Sequence, residues 1–161
     1  MTVENRGHTA VKSWLALLTA SNAIKKDIDA RLRAQFDMSI SRFDVLSALD
    51  RSKRNGLRAG QLSRQLFVSD GNTTQVMSKL VKEGLVLRRP DSHDARAINY
   101  SLSDEGKYLF DRMAAAHETW IRAIFDELPD HMQMELSDIL SLLKPETING
   151  RKPPENERAH A

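Results

Sequence analysis

Residues Gln61 to Leu102 read QLSRQLFVSDGNTTQVMSKLVKEGLVLRRPDSHDARAINYSL. The pattern predicts a helix, a tight turn, a second helix and a two-stranded ribbon with a basic tip. The second helix is expected over Asn72–Glu83. Asn72 can cap its start and Gln75 can reach back three residues, a capping-box arrangement. Val76, Leu80 and Val81 give it one apolar face, and Gly84 stands where a left-handed C-cap residue is wanted. Asn72, Thr73, Thr74, Gln75, Ser78 and Lys79 are then left exposed. Short hydrogen-bonding side chains and a cation are what reaches base edges and phosphates in a major groove. Leu85–Leu87 and Ile98–Leu102 are expected as strands, with Arg88 to Arg96 as the polar tip between them.

These elements predict a winged helix-turn-helix, and the flanks extend it. Residues 1–8 are polar and expected to be loose. From Thr9 to about Gln35, Val11, Trp14, Leu15, Leu18, Ile24, Ile28 and Leu32 recur at mostly three- and four-residue steps, without internal Gly or Pro. That is a long amphipathic helix, longer than one globular core needs, so part of its apolar face is expected to meet another subunit. Ser41 with Asp44 is expected to start the next helix, buried through Phe43, Val45, Leu46 and Leu49. Leu57–Arg58 is a candidate third strand. Ala59–Phe67 should be the first helix of the helix-turn-helix, packed through Leu62 and Leu66, with Val68–Gly71 as the turn.

Beyond the wing, Ser103 is expected to cap a helix running to about Leu128, with Asp104 and Glu105 on its positive end. Tyr108, Leu109, Met113, Trp120, Ile121, Ile124 and Phe125 form its apolar side. Asp130 with Gln133 begins a last helix carrying Leu136, Ile139, Leu140 and Leu143 and ending by Pro145. The expected fold class is therefore mainly α with a small β-wing. The winged helix-turn-helix would occupy 37–102, a helical dimerisation region 9–36 and 103–144, and a disordered tail 145–161. Neither flank buries itself alone, which favours packing against a second copy in a two-fold homodimer.

Composition narrows the classes. The chain has 161 residues and no cysteine, which excludes disulfides and thiolate chemistry and fits a reducing cytoplasm. No apolar run reaches the roughly 20 residues of a spanning helix, so no membrane is expected. Net charge is only +2, yet residues 51–96 hold ten Lys and Arg against four acids, and the remainder fourteen against eighteen. Basic charge concentrated on the winged helix is a duplex-binding footprint, although a solvated face of mixed charge would look similar. No phosphate loop, nucleophile elbow or metal-spaced cluster is present, so no catalytic residue, metal or cofactor is expected. His93 between Asp91 and Asp94 lacks a fourth ligand and makes a poor metal site.

At the wing the pattern resembles a known family. Asp94-Ala95-Arg96 and then Leu102-Ser103-Asp104-Glu105-Gly106 are similar to the Asp-x-Arg wing and the Leu-Ser/Thr-x-x-Gly of the MarR family of bacterial regulators. Leu80-Val81-Lys82-Glu83-Gly84-Leu85-Val86 followed by Arg88-Arg89 looks like that family too. The element order agrees over residues 9–144. The resemblance implies a homodimer on double-stranded DNA, its recognition helices entering successive major grooves of a pseudo-palindromic operator roughly 34 Å apart. It further implies that Arg96 reaches a minor groove with Asp94 holding its guanidinium, which suits the negative potential there. Lys79, Arg88 and Arg89 are phosphate candidates, since long cations position without specifying. His93 beside Asp94 departs from the commoner wing pattern.

A finer resemblance is to regulators of aromatic-acid and hydroxycinnamate catabolism, some of which sense coenzyme A thioesters. It rests on Arg42–Leu46, Gly56–Arg58, Gln61–Ser63, Val68–Thr74 and Ala114–Trp120. It implies a transcriptional repressor released by a small effector, in a pocket lined by Trp14, Arg42, Phe43, His117 and Trp120. Trp14 and Trp120 equally suit a core or dimer interface, His117 an interface histidine, and Arg42 or Lys25 a surface role. A non-specific architectural DNA-binding protein is the alternative function.

Overall fold

A computed structural model describes residues 3–52, 56–66, 70–91 and 97–143, with the side chains of residues 3–6 and 70–72 outside the description. The chain divides into two compact units, residues 1–120 and 121–161.

The first unit begins with α1, Val3–Phe36. Helix therefore starts well before Thr9, and residues 3–8, expected to be loose, are helical. Only the C-terminal part of α1 is buried, through Ile28 and Leu32, whereas Val11, Trp14, Leu15, Leu17 and Leu18 stand exposed. Asp37 closes the helix in a left-handed conformation, φ 55°. The Met38 amide donates back to Leu32 O at 3.3 Å, and both side chains are buried, the apolar clasp that accompanies such an ending.

Helix α2, Ile40–Arg51, is capped by Ser39 rather than Ser41: the Ser39 hydroxyl accepts from the Arg42 amide. Asp29 of α1 adds a second cap, its Oδ1 accepting the Ile40 amide at 2.8 Å. Two otherwise orphaned amides of the first turn are thereby satisfied. Phe43, Val45, Leu46 and Leu49 are buried as their spacing predicts, with Ala48 beside them.

Strand β1, Leu57–Arg58, helices α3, Ala59–Leu66, and α4, Asp70–Lys82, and strands β2, Val86–Pro90, and β3, Ile98–Leu102, make the winged helix-turn-helix. The sheet order is β1-β3-β2, antiparallel throughout, with Leu57 opposite Tyr100 and Val86 opposite Leu102. Helix α4 starts at Asp70, so Asn72 lies inside its first turn rather than at the cap. Its buried row is Thr73, Met77 and Leu80, with Val76 and Val81 only half-buried. Gly84 has φ 76° and the Leu85 amide donates to Leu80 O at 3.0 Å, the left-handed ending its position predicts.

Helix α5, Asp104–Phe125, begins in the first unit and ends in the second. The Gly106 amide donates to the Ser103 hydroxyl at 2.9 Å, confirming the cap. Its buried residues are Gly106, Phe110 and Met113. Tyr108, expected on the apolar side, is 66% exposed. In the second unit, α6 spans Asp130–Ser141 behind Pro129, with no side-chain cap. Gln133, expected to start it, instead donates Nε2 to the carbonyls of Phe125 and Leu128, at 3.1 and 2.9 Å, tying down the turn before α6. No residue of α6 is buried. The expected tail, 145–161, lies outside the described residues, and no helix among those described is long and apolar enough to cross a membrane.

Candidate nucleic-acid interface

Helix α4 buries Thr73, Met77 and Leu80 against the core, and this fixes what it shows to solvent. Thr74, Gln75, Ser78 and Lys79 are exposed and follow one another around the outer face. The Ser78 hydroxyl donates to Thr74 O at 2.9 Å, which holds its rotamer. Thr73 is the exception to the sequence-based expectation, because it is 1% exposed. It lines a small cavity of about 80 Å³ with Lys25, Ser41, Asp44 and Val76. The physical reason is rotational: a helix starting at Asp70 and buried through Met77 and Leu80 must turn Thr73 inward as well. The side chain of Asn72 lies outside the described set.

Arg88 and Arg89 are exposed on β2, opposite Tyr100 and Asn99 of β3. They belong to the strand itself, which runs to Pro90, rather than to the hairpin tip. Asp94 and Arg96, with His93, lie outside the described residues. The stem below them is braced. The Asp91 amide donates to Ala97 O at 2.9 Å, and Asp91 Oδ2 accepts from Arg58 Nε at 3.2 Å. The Arg58 amide in turn donates to Gln61 Oε1 at 2.8 Å. Sequence reasoning placed Arg58 in a strand and Asp91 in the tip without linking them. The available signal was charge complementarity between a short strand and the base of a hairpin.

The residues expected around an effector are brought together in part. The Phe43 ring lies 4.9 Å from His117 and 5.7 Å from Phe110, centroid to centroid. Trp120 packs against Phe36 at 6.4 Å, with the Arg31 guanidinium 6.0 Å from its ring centroid. Arg42 is ion-paired with Glu83. Trp14 does not join them. It is 58% exposed on the N-terminal half of α1 and makes no ring contact among the described residues.

Burial shifts two titratable groups here. Desolvation lowers the His117 pKa below 6.5, opposed by the charge of Asp44. Desolvation raises Asp44 above 3.8, opposed by Lys25, His117 and Arg51. Both effects are those of a charge held partly out of water. Among the described residues no group of three His, Asp or Glu stands where it could hold a metal ion.

A helix-turn-helix, a sheet that braces a wing, and polar and basic side chains on one helix face define a winged helix-turn-helix of the nucleic-acid-binding type. Residues 36–97 match the family model described as the MarR family. Over that segment, from α2 to β2, the chain is similar to the MarR family. It is 24% identical over 119 residues to the HTH-type transcriptional regulator PecS of Dickeya dadantii, covering 73% of this chain and 72% of that protein. Its fold is similar to that of MepR of S. aureus in a DNA complex, with a TM-score of 0.72 at 20% identity, covering 81% of this chain and 94% of that one. It is similar also to CouR of Rhodococcus jostii RHA1 bound to p-coumaroyl-CoA, with a TM-score of 0.69 at 19% identity, covering 80% and 88%.

Proposed function

We propose that this chain is a sequence-specific DNA-binding transcriptional regulator, acting in the cytoplasm as a homodimeric repressor and released by a small effector. The observation that carries the reading is the outer face of α4. Thr74, Gln75, Ser78 and Lys79 are exposed there, and Arg88 and Arg89 are exposed on the adjoining wing strand. In this reading Gln75 and its polar neighbours meet base edges while Lys79, Arg88 and Arg89 meet phosphates. Arg96, braced by Asp94, enters a minor groove, and Thr73 supports the helix from inside.

Two apolar faces support the homodimer: Val11, Trp14, Leu15 and Leu18 on α1, and Leu136, Ile139, Leu140 and Leu143 on α6. Each is more than a third exposed, and exposed faces of that kind mark interaction surfaces. Two copies then read a pseudo-palindromic operator, one half-site each.

The effector reading rests on the ring pair Phe43–His117, with Arg42 next in sequence and Trp120 one turn along α5. A flat aromatic acid, or its coenzyme A thioester, has the chemistry to stack there. It releases DNA if it binds the released arrangement better than the DNA-bound one. Isothermal titration of candidate acids and thioesters, with and without operator, tests the coupling. Equal affinity in both states contradicts it. Equal affinity of the protein for operator and random duplex at physiological salt would favour a non-specific architectural protein.

A further inference from the structure

The turn after α4 meets the first turn of α5 through backbone atoms. The Ser103 hydroxyl donates to Gly84 O at 2.7 Å and accepts from the Gly106 amide at 2.9 Å. The Ser103 amide donates to Leu85 O at 3.1 Å. Gly106 lies so close that a Cβ built on it would fall 1.9 Å from Leu85 O and 2.9 Å from its carbonyl carbon. Those are backbone atoms, which do not swing aside like a side chain. Val86 pairs with Leu102 in the sheet immediately beside this contact.

We propose that Ser103 and Gly106 are positioning residues for DNA binding: the first turn of α5 is the seat that fixes the C-terminal end of α4. The inference rests on the reading of α4 as the recognition helix and names what orients it. A recognition helix must hold its base-facing side chains within about half an ångström of the productive geometry. Its N-terminal end is held by the packing of Thr73 and Met77. Its C-terminal end leaves the helix through Gly84, whose left-handed conformation does not by itself set a direction. Ser103 supplies that direction, because one hydroxyl donates to Gly84 O while it accepts from Gly106, and a chain of that kind strengthens both bonds. Gly106 supplies the approach. With any larger residue Leu85 must move, and Leu80, whose carbonyl holds the Leu85 amide, moves with it. The spacing of Ser103 and Gly106 thus does two jobs: it caps α5 and docks α4.

The test compares the full chain with Ser103→Ala and Ser103→Thr by amide hydrogen exchange and by binding to two duplexes. One duplex is the DNA upstream of the protein's own gene and the other a random sequence of equal length. In Ser103→Ala the Gly106 amide exchanges faster, and the inference requires that the Gly84 and Leu85 amides do so too. It also requires a loss of about tenfold in affinity for the specific duplex, the worth of one lost hydrogen bond, with the random duplex little affected. Ser103→Thr, which keeps the hydroxyl, restores both. Faster exchange confined to Gly106, or unchanged specific affinity, overturns the inference. Gly106→Ala should show the larger effect, but the serine pair decides even if that variant does not fold. If the wild-type chain prefers neither duplex, the reading of α4 fails and the binding half with it. Exchange at Gly84 and Leu85 still decides whether α5 holds α4.

Discussion

Arg42, in the first turn of α2, is ion-paired with Glu83, the residue that follows the last turn of α4. The Arg42 side chain is only 17% exposed, its Nε is buried without a partner among the described residues, and burial pulls its pKa down against the charge of Asp37. A guanidinium so far withdrawn from water depends on its carboxylate. Glu83→Ala should lower stability by about 1–2 kcal/mol, more than an exposed pair would contribute. Urea unfolding checks it, and an unchanged midpoint would show the pair to be idle.

Two glycines should respond with opposite signs. Gly56 has φ 65°, and a Cβ on it would meet Tyr100 O at 2.6 Å, beside the Leu57–Tyr100 pair of the sheet. Gly56→Ala should cost about 1–3 kcal/mol. Gly60 lies in α3 with nothing among the described residues within 4 Å of its Cβ position, so Gly60→Ala should be neutral or stabilise by up to about 1 kcal/mol. Thermal unfolding of both variants decides, and equal shifts would contradict the argument.

His117 makes folding sensitive to acid. Its folded pKa lies below the ordinary 6.5, so between the two values the unfolded chain binds more protons and stability falls as pH drops through that window. Asp44 has the opposite sign. Its pKa is raised above 3.8, so its contribution is present below that value and is lost as pH rises through the folded one. His117→Gln should therefore flatten the dependence of the denaturant midpoint as pH falls below about 6.5. A slope unchanged by the substitution would show that His117 is not its source.

On the recognition helix, side chain type separates two effects. Gln75→Ala should weaken operator binding by about 1–3 kcal/mol while leaving random duplex alone. Lys79→Ala should weaken both and reduce the salt slope by about one. Thr73→Val should change folding stability first, because that side chain is buried. Titrations at three salt concentrations distinguish these outcomes, and a uniform response of Gln75→Ala on both duplexes would remove it from base readout.

What was legible in the sequence depended on locality. Gly84, Ser103 and the buried row of α2 follow from backbone preference and helical spacing within a few residues, and they stand where expected. The inward turn of Thr73 and the exposure of Tyr108 were not legible. Threonine is small enough to be buried, and Phe110 competes with Tyr108 for the core two residues away; only tertiary packing chooses. Ser39 displaced Ser41 as a cap because Asp29, ten residues earlier, helps to hold the start of α2. Gly106 was visible as a motif residue, yet its reason, a backbone carbonyl from the turn after α4, lies twenty-one positions back in the chain. The contact of Phe43 with His117 joins two helices seventy-four residues apart, beyond the reach of any periodicity.

The most direct test of the account is a gel shift of the full chain on the DNA upstream of its own gene, at physiological salt and against excess random duplex. The experiment is run with and without aromatic acids and their coenzyme A thioesters. The account predicts a competitor-resistant complex that one of these ligands releases. A complex that random duplex removes as readily as the specific sequence would contradict it.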